Sequence, residues 1–338
     1  MPSASTTADP RPAPGGAPGP DAGSPPTRGR RGRRGLSGRG GHRVRPDADV
    51  VGLGKGRALG FVAPALVLVG VFLVFPAAWT LYLGLLDYSL TGAGAKAPVF
   101  VGLGNYTSAL TDPAFLSSLW LTLLFVGGSA VVGQNVLGFA LAWSLSGVRR
   151  AVRGTITVLV LLAWILPGSV VAFLWQALLD RRNGTLNALL GTTDLAWALD
   201  HPMAVIIIFN IWRGTAFSML LYTAALATVP RSHLEVARMA GASRWQQLRD
   251  VVLPTVKRHV LTNTLLITLW TFNDFSPYLL TGGGPNRESE ILPVYIYKEA
   301  IIGGQLGYGS AISLLLLLAN LVIALAYIRL LRTREKAA

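Results

Sequence analysis

Pro230-Arg-Ser-His-Leu-Glu-Val-Ala-Arg-Met-Ala-Gly-Ala-Ser-Arg-Trp-Gln-Gln-Leu-Arg-Asp-Val-Val-Leu-Pro254 is a charged stretch set between two apolar windows, and its reading decides how the chain is put together. Ser232 and Glu235 have the spacing of a capping box, in which the hydroxyl accepts from the amide three residues on and the carboxylate reaches back to the cap amide. That spacing predicts a helix starting at Ser232. Gly241 suits the left-handed residue that closes a helix, and Ser243 with Gln246 repeats the capping pattern. The second helix is expected to run to Leu253 and to stop at Pro254, because proline restricts the residue before it. Leu234, Ala237, Trp245, Leu248 and Val252 give this helix-glycine-helix hook an apolar side, while its arginines face water or a partner.

The windows on either side belong to a series. The chain of 338 residues is 51% apolar and 14% charged, and six windows are nearly free of charge: about 58–86, 119–145, 155–179, 202–226, 260–281 and 308–331. A membrane-spanning helix needs roughly 20 apolar residues, since the hydrocarbon core is about 30 Å thick and a helix rises about 1.5 Å per residue. The expectation is an all-α membrane protein of six transmembrane helices, with a transmembrane body over 58–332 and a charged loop at 230–258.

Loop charges orient it, because cytoplasmic loops carry the excess of Lys and Arg. Residues 1–57 hold eleven basic residues against Asp9, Asp21, Asp47 and Asp49. Arg149, Arg150 and Arg153 follow the second window. The hook and its approach carry Arg231, Arg238, Arg244, Arg249, Lys257 and Arg258 against Glu235 and Asp250, and the C-terminus has Arg329, Arg332, Arg334 and Lys336 against Glu335. The alternate connections each net −1: Lys96 with Asp87 and Asp112; Arg181 and Arg182 with Asp180, Asp194 and Asp200; Arg287 and Lys298 with Glu288, Glu290 and Glu299. Both termini, including 333–338, are therefore expected in the cytoplasm. The net charge of +14 describes topology rather than nucleic-acid binding. The Arg-, Gly- and Pro-rich residues 1–57 have too little apolar surface to fold, and read as a solvated cytoplasmic tail that enforces orientation. A cleaved signal peptide fits poorly, since the first apolar run is longer than an h-region and begins near residue 58.

The hook carries a resemblance. Glu235-Val-Ala237, three residues, Gly241, nine residues, then Val251-x-Leu253-Pro254 resembles the EAA loop of ABC importer permeases, whose pattern is Glu-Ala-Ala, three residues, Gly, nine residues, Ile-x-Leu-Pro. Every interval matches; Val236 and Val251 depart from it with small or apolar side chains. The resemblance extends over roughly 59–332 and looks like the carbohydrate branch, similar to maltose, multiple-sugar and glycerol phosphate importers. Phe100-Val-Gly-Leu-Gly-Asn-Tyr106, Thr111-Asp-Pro113, Leu166-Pro-Gly-Ser-Val-Val-Ala-Phe-Leu-Trp175, Asn183-Gly-Thr-Leu-Asn187, Thr281-Gly-Gly-Gly-Pro285 and Leu306-Gly-Tyr-Gly-Ser-Ala311 carry it in one order. It implies a type I importer fold and a bacterial plasma-membrane location. It also implies a second homologous permease, two ATP-binding subunits that use ATP and Mg, an extracellular solute-binding protein and a sugar substrate. Coupling would rest on Glu235, Ala237, Gly241, Ala242, Leu253 and Pro254. The chain has no phosphate-binding Gly-x-x-x-x-Gly-Lys-[Ser/Thr] loop, so no cofactor is expected on it and hydrolysis belongs to the partners.

Ionisable residues inside a span are costly and mark function or a structural pair. Arg213 in Asn210-Ile-Trp-Arg-Gly214 and Asp274 in Phe272-Asn-Asp-Phe275 lie at comparable depth on antiparallel windows and can pair. With Trp270, Asn273 and Tyr278, which suit sugar hydroxyls and pyranose faces, they form the expected substrate pathway. Gln134, Asn135 and Asn210 are weaker candidates, and Pro64, Pro76 and Pro167 are expected at kinks. With no Cys, disulfides and thiolate sites are excluded. The four His assemble neither a metal site nor a catalytic triad. The rival reading, a secondary transporter or channel without an ATPase, calls for acidic or His residues along the spans, and only Asp274 stands there.

Overall fold

The computed structural model describes residues 55–192 and 195–335. Of the basic tail only residues 55–57 fall among these, and the last three residues lie outside them. Residues 55–61 begin a helix; Val62–Ala338 is one compact unit.

Four helices among the described residues are long and apolar enough to cross a membrane: α1 (Leu59–Leu83), α2 (Pro113–Leu145), a later helix Pro202–Ala227, and Leu306–Leu331. Between α2 and the third of these lie α3 (Arg150–Ile165) and α4 (Gly168–Leu178), which make a fifth span only if counted together across a bend of 101°. The helix Pro202–Ala227 is α5, the hook helix Arg231–Met239 is α6, and α7 is Leu253–Phe272. They are followed by α8 (Ser276–Thr281), α9 (Leu292–Tyr297) and α10 (Leu306–Glu335). By length and composition the described residues thus give four spans, or five with the bent pair, and the expected count of six is not reached exactly.

The third and fifth windows depart from single straight helices for local reasons. Leu166 is extended (φ −63°, ψ 141°) because the Pro167 ring disfavours the helical region for the residue before it, and Pro167 is extended in turn. The helix of the fifth window ends at Phe272: Asn273 leaves helical geometry (φ −107°, ψ 7°), Asp274 Oδ1 accepts from the Ser276 amide at 2.9 Å, and Pro277 in the next helix has no amide to continue the ladder. Pro64 and Pro76 interrupt nothing; Pro76 follows a π-helical segment, Gly70–Val74, that loosens the turn whose hydrogen bond a proline cannot make.

Two expectations in the hook also change. Pro230, extended at φ −62° and ψ 129°, is the entry residue of α6, so the helix starts at Arg231 and Ser232 makes no cap; the Ser232–Glu235 capping box does not form. With the cap at Pro230, Ser232 falls inside the first turn, two residues past the position from which its hydroxyl could cap the helix. Pro254 does not stop the chain either. One turn (Arg244–Gln246), a π segment (Gln247–Val252) and α7 run on without a break, because the π register opens the backbone just where the ring would press on the carbonyl four residues back.

The core is built at the crossing of α2, α5 and α7. Phe125, Val126, Ala130, Ile206, Phe209, Ile267 and Phe272 are buried together with Leu280, Ile291 and Val294. A second cluster, Ala225, Val229, Val252 and Val256, ties the root of the hook to the bundle. Small residues let α2 and α5 approach closely: a Cβ on Gly138 would stand 2.5 Å from Ser218 Cβ and 3.0 Å from the Met219 amide nitrogen. The only ladder among the described residues is the two-residue antiparallel pair Leu86–Phe100 and Asp87–Val99.

Candidate functional site

A cleft opens where α2, α3, α5 and α7 meet, lined among others by Gln134, Trp164, Arg213, Phe217, Trp270 and Asp274. The bend after α3 brings Trp164 against it, and the break after α7 frees Asp274 to turn toward α5. Three aromatic rings form its apolar wall: Trp164 lies 5.7 Å from Phe217 and 5.8 Å from Trp270, and Phe217 lies 5.5 Å from Trp270. The separations and tilts are those of favourable aromatic pairs.

Arg213 and Asp274 face each other across the polar end. Arg213 Nη1 stands 3.9 Å from Asp274 Oδ2, with side chains 25% and 14% exposed. Arg213 Nη1 donates to Ser276 Oγ at 3.3 Å, while the buried Nε–H has no acceptor. This is a loose ion pair with donor capacity to spare, beside a carboxylate whose second oxygen is not engaged in a hydrogen bond to the backbone. Close by, Gln134 Nε2 donates to the Asn210 carbonyl at 3.0 Å, and any Cβ on Gly214 would overlap the Gln134 amide. Asn210 Nδ2 donates to Ser129 Oγ at 2.7 Å. These amides hold helices together along the cleft wall.

Of the expected pathway residues, Arg213, Trp270 and Asp274 share the cleft. Asn273 instead donates to the Leu269 carbonyl at 2.7 Å and exchanges bonds of 3.3 Å with Asn320 of α10. Tyr278 stacks on Phe275 at 5.0 Å and packs edge-on to Tyr297 at 4.9 Å. Trp164 and Phe217 were missed. Phe217 sits four residues after Arg213, one turn along the same face, which was a legible signal; Trp164 was not, since its direction depends on the bend at Pro167.

The hook is the second feature. Gly241 has φ +79° and closes α6 with two bonds, its own amide to the Arg238 carbonyl at 2.9 Å and the Ala242 amide to the Ala237 carbonyl at 2.9 Å. That is the left-handed Schellman closure. The Ser243 box does form: the Ser243 amide donates to Gln246 Oε1 at 2.7 Å, and the Gln246 amide to Ser243 Oγ at 3.3 Å. Glu235, Leu253 and Pro254 are exposed, Ala237 and Ala242 half-buried. Val236, Trp245 and Met239, the last 81% exposed, present large apolar side chains outward. An apolar patch ringed by Arg and Glu is the composition of a docking face.

At the opposite end the Thr281–Pro285 element turns on Gly282, Gly283 and Gly284, all with positive φ. The adjoining Glu290 carboxylate is only 2% exposed and is held by Lys298 Nζ at 2.6 Å and by Arg287 at 2.5 Å. Burial opposes the Arg287 charge, but Glu290 outweighs it and raises its pKa. Asp112 accepts from Tyr295 Oη at 2.6 Å and Tyr308 Oη at 2.9 Å. Its burial acts against ionisation, and these bonds with the Ala114 amide hold its pKa below the ordinary carboxylate value. Removing one member of such a buried network strands the others. Glu290→Leu is therefore expected to lower membrane abundance severalfold where Glu288→Ala, at an exposed neighbour, leaves it unchanged; immunoblots of membrane fractions measure both.

Residues 134–335 match the family model described as binding-protein-dependent transport system inner membrane component. Among curated proteins, a probable ABC transporter permease of Pyrococcus horikoshii is 34% identical over 280 residues, covering 79% of this chain and 93% of the relative. The sulfoquinovosyl glycerol transport system permease of Agrobacterium fabrum is 29% identical over 81% of this chain and 90% of its own. The trehalose transport system permease of Mycobacterium tuberculosis is 32% identical over 80% and 86%. A chain in the crystal structure of a bacterial alginate ABC transporter bound to an alginate-loaded periplasmic protein superposes with a TM-score of 0.68 at 19% identity, covering 80% of this chain and 92% of that one; at that identity the likeness shows the fold. The protein belongs to the binding-protein-dependent transport system inner membrane components, the multi-pass permease subunits of ABC transporters.

Proposed function

We propose that this permease forms one half of the path by which a sugar enters a bacterial cell, with the cleft at Arg213, Trp270 and Asp274 as its substrate-facing wall and the hook as its link to an ATPase. The carrying observation is the cleft itself. An aromatic wall opposite a loose Arg–Asp pair offers a pyranose what it needs, a flat apolar surface for its C–H face and both donors and acceptors for its hydroxyls. The sugars named for the relatives favour the same substrate class. A second homologous permease supplies the other half, two cytoplasmic subunits bind ATP and Mg, and an extracellular solute-binding protein delivers the sugar. Both termini and the hook lie in the cytoplasm, as the loop charges require.

ATP closes the nucleotide-binding subunits, Glu235, Ala237, Gly241, Ala242, Leu253 and Pro254 are carried with them, and the bundle rocks between inward- and outward-open states. Affinity purification of the tagged chain from its own membranes should bring down an ATPase and a second permease, and the reconstituted complex should accumulate sugar only with ATP. Uptake by this chain alone, driven by an ion gradient, would establish the secondary-transporter reading instead.

The tail enters here as an accessory. Deleting residues 2–45 leaves Lys55 and Arg57 to mark the inside, so uptake is expected to stay within about twofold of the full chain. Uptake lost with normal insertion would give the tail an essential contact.

A further inference from the structure

Four buried side chains from three helices meet at one oxygen in the middle of the bundle. Asn135 Oδ1 accepts from Tyr222 Oη of α5, from Asn263 Nδ2 of α7 at 3.0 Å and from Thr264 Oγ1 of α7 at 3.2 Å, the last through a proton shared with the Val260 carbonyl at 2.7 Å. The Asn135 amide also donates to the carbonyls of Ala130 and Val131, each at 3.1 Å, satisfying groups that the π segment Gly127–Gln134 releases from the helical ladder. Asn263 Nδ2 reaches Ser218 Oγ at 3.1 Å. The acceptors are unevenly used: Asn135 Oδ1 takes three donors, and the buried Asn263 Oδ1 has none.

The position of this node matters. It touches α7 at Asn263, nine residues before Phe272 and nineteen after Arg244 along a rod without a break. At about 1.5 Å per residue those arms are roughly 14 and 28 Å long. One end of the rod is the hook and the other carries Trp270 and the turn to Asp274. A rod pinned about a third of its length from the cleft end transmits movement of the hook to the cleft in the opposite sense and at about half the amplitude. Bonds at this depth find no water to exchange with, so the pin holds until a donor passes to another acceptor, and the vacant Asn263 Oδ1 lies within the same cluster.

We propose that Asn135 is a positioning residue for transport, the fulcrum about which α7 tilts when the hook moves, with Tyr222, Asn263 and Thr264 as its partners. This rests on the reading of the chain as a permease coupled through its hook. The node touches neither the cleft's contents nor the ATPase; it sets where Trp270 and Asp274 stand for each position of the hook.

The chain has no cysteine, so spin labels can be placed at will. With cysteines at the exposed Leu162 of α3 and the half-buried Leu269 of α7, about 9 Å from the node on the cleft side, the whole complex is reconstituted and the label-to-label distance is measured without nucleotide and after trapping with ATP and vanadate. Tyr222→Phe and Thr264→Val each remove one donor and keep the shape; Asn135→Leu removes the acceptor. The wild-type distance is expected to shift on trapping. In the variants the shift shrinks to less than half while ATP is still hydrolysed, and sugar moved per ATP falls about tenfold in Asn135→Leu, more than in either single-donor variant. A shift of full size in all three variants would overturn the proposal. So would a defect confined to abundance or thermal stability, with transport per inserted molecule normal, because that is the behaviour of helix glue. No shift in the wild type, with no ATP-dependent uptake, would instead remove the functional reading beneath it.

Discussion

Gly241→Leu is expected to abolish uptake while the protein stays in the membrane at normal abundance. Gly241 sits at φ +79°, where an L-residue costs about 1–2 kcal/mol. Nothing stands within 4 Å of where its Cβ would be. The strain therefore falls on the turn alone, and the buried bundle has no contact to lose. What changes is the angle between α6 and the rod that follows, because the two closing bonds to Arg238 and Ala237 both need the left-handed residue. Asn tolerates that conformation and Ala does not, so Gly241→Asn should retain more transport than Gly241→Ala, although Ala is the smaller side chain. Uptake in whole cells, membrane abundance by immunoblot and recovery of the ATPase on the tagged chain measure the three effects. Normal uptake by the Leu variant would sink the coupling role of the hook.

The second large effect is expected at Arg213 and Asp274. Breaking a fully buried pair by removing one partner costs roughly 3–5 kcal/mol. At 3.9 Å and with a quarter of Arg213 exposed, solvent screens part of that, and on the order of 2 kcal/mol remains. Arg213→Met and Asp274→Leu should each lower abundance and uptake, and the double variant should recover abundance, since no uncompensated charge is left. Uptake decides the rest. If Asp274 accepts from sugar hydroxyls, the double variant inserts normally and transports nothing. Recovery of both would make the pair a gate, and additive losses across the cycle would reject the pairing. Asp274→Asn separates charge from geometry, because its side-chain oxygen can still cap the Ser276 amide.

The hook shows what local reading can and cannot resolve. Gly241 and the Ser243–Gln246 box depend on bonds within a few residues, and both formed where their spacing placed them. The Ser232 box did not, because Pro230 and Ser232 are two start signals two residues apart and each is sufficient alone. Pro254 failed as a stop for a different reason: a π segment ahead of it removed the clash, and such a segment forms when packing against Ala225 and Val229 rewards it.

The cleft repeats the lesson at longer range. Arg213 and Asp274 were readable because a charge in an apolar window is costly wherever it points. Asn273 and Tyr278 turned away from the cleft because the helix ends at Phe272, and a break of three residues resets which face looks inward.

By itself the sequence determined that the chain crosses a membrane, which of its loops carry positive charge, and that its fourth connection is a closed hook, because hydropathy, charge and capping act within a turn or two of the residue that carries them. The tertiary structure alone decided that the third and fifth windows are broken rather than straight. It also decided that Trp164 and Phe217 join Trp270 in one wall, and that Asn135 gathers three donors from two other helices. Those outcomes depend on which helices meet and at what angle, and the energy that selects them lies in contacts between residues dozens of positions apart.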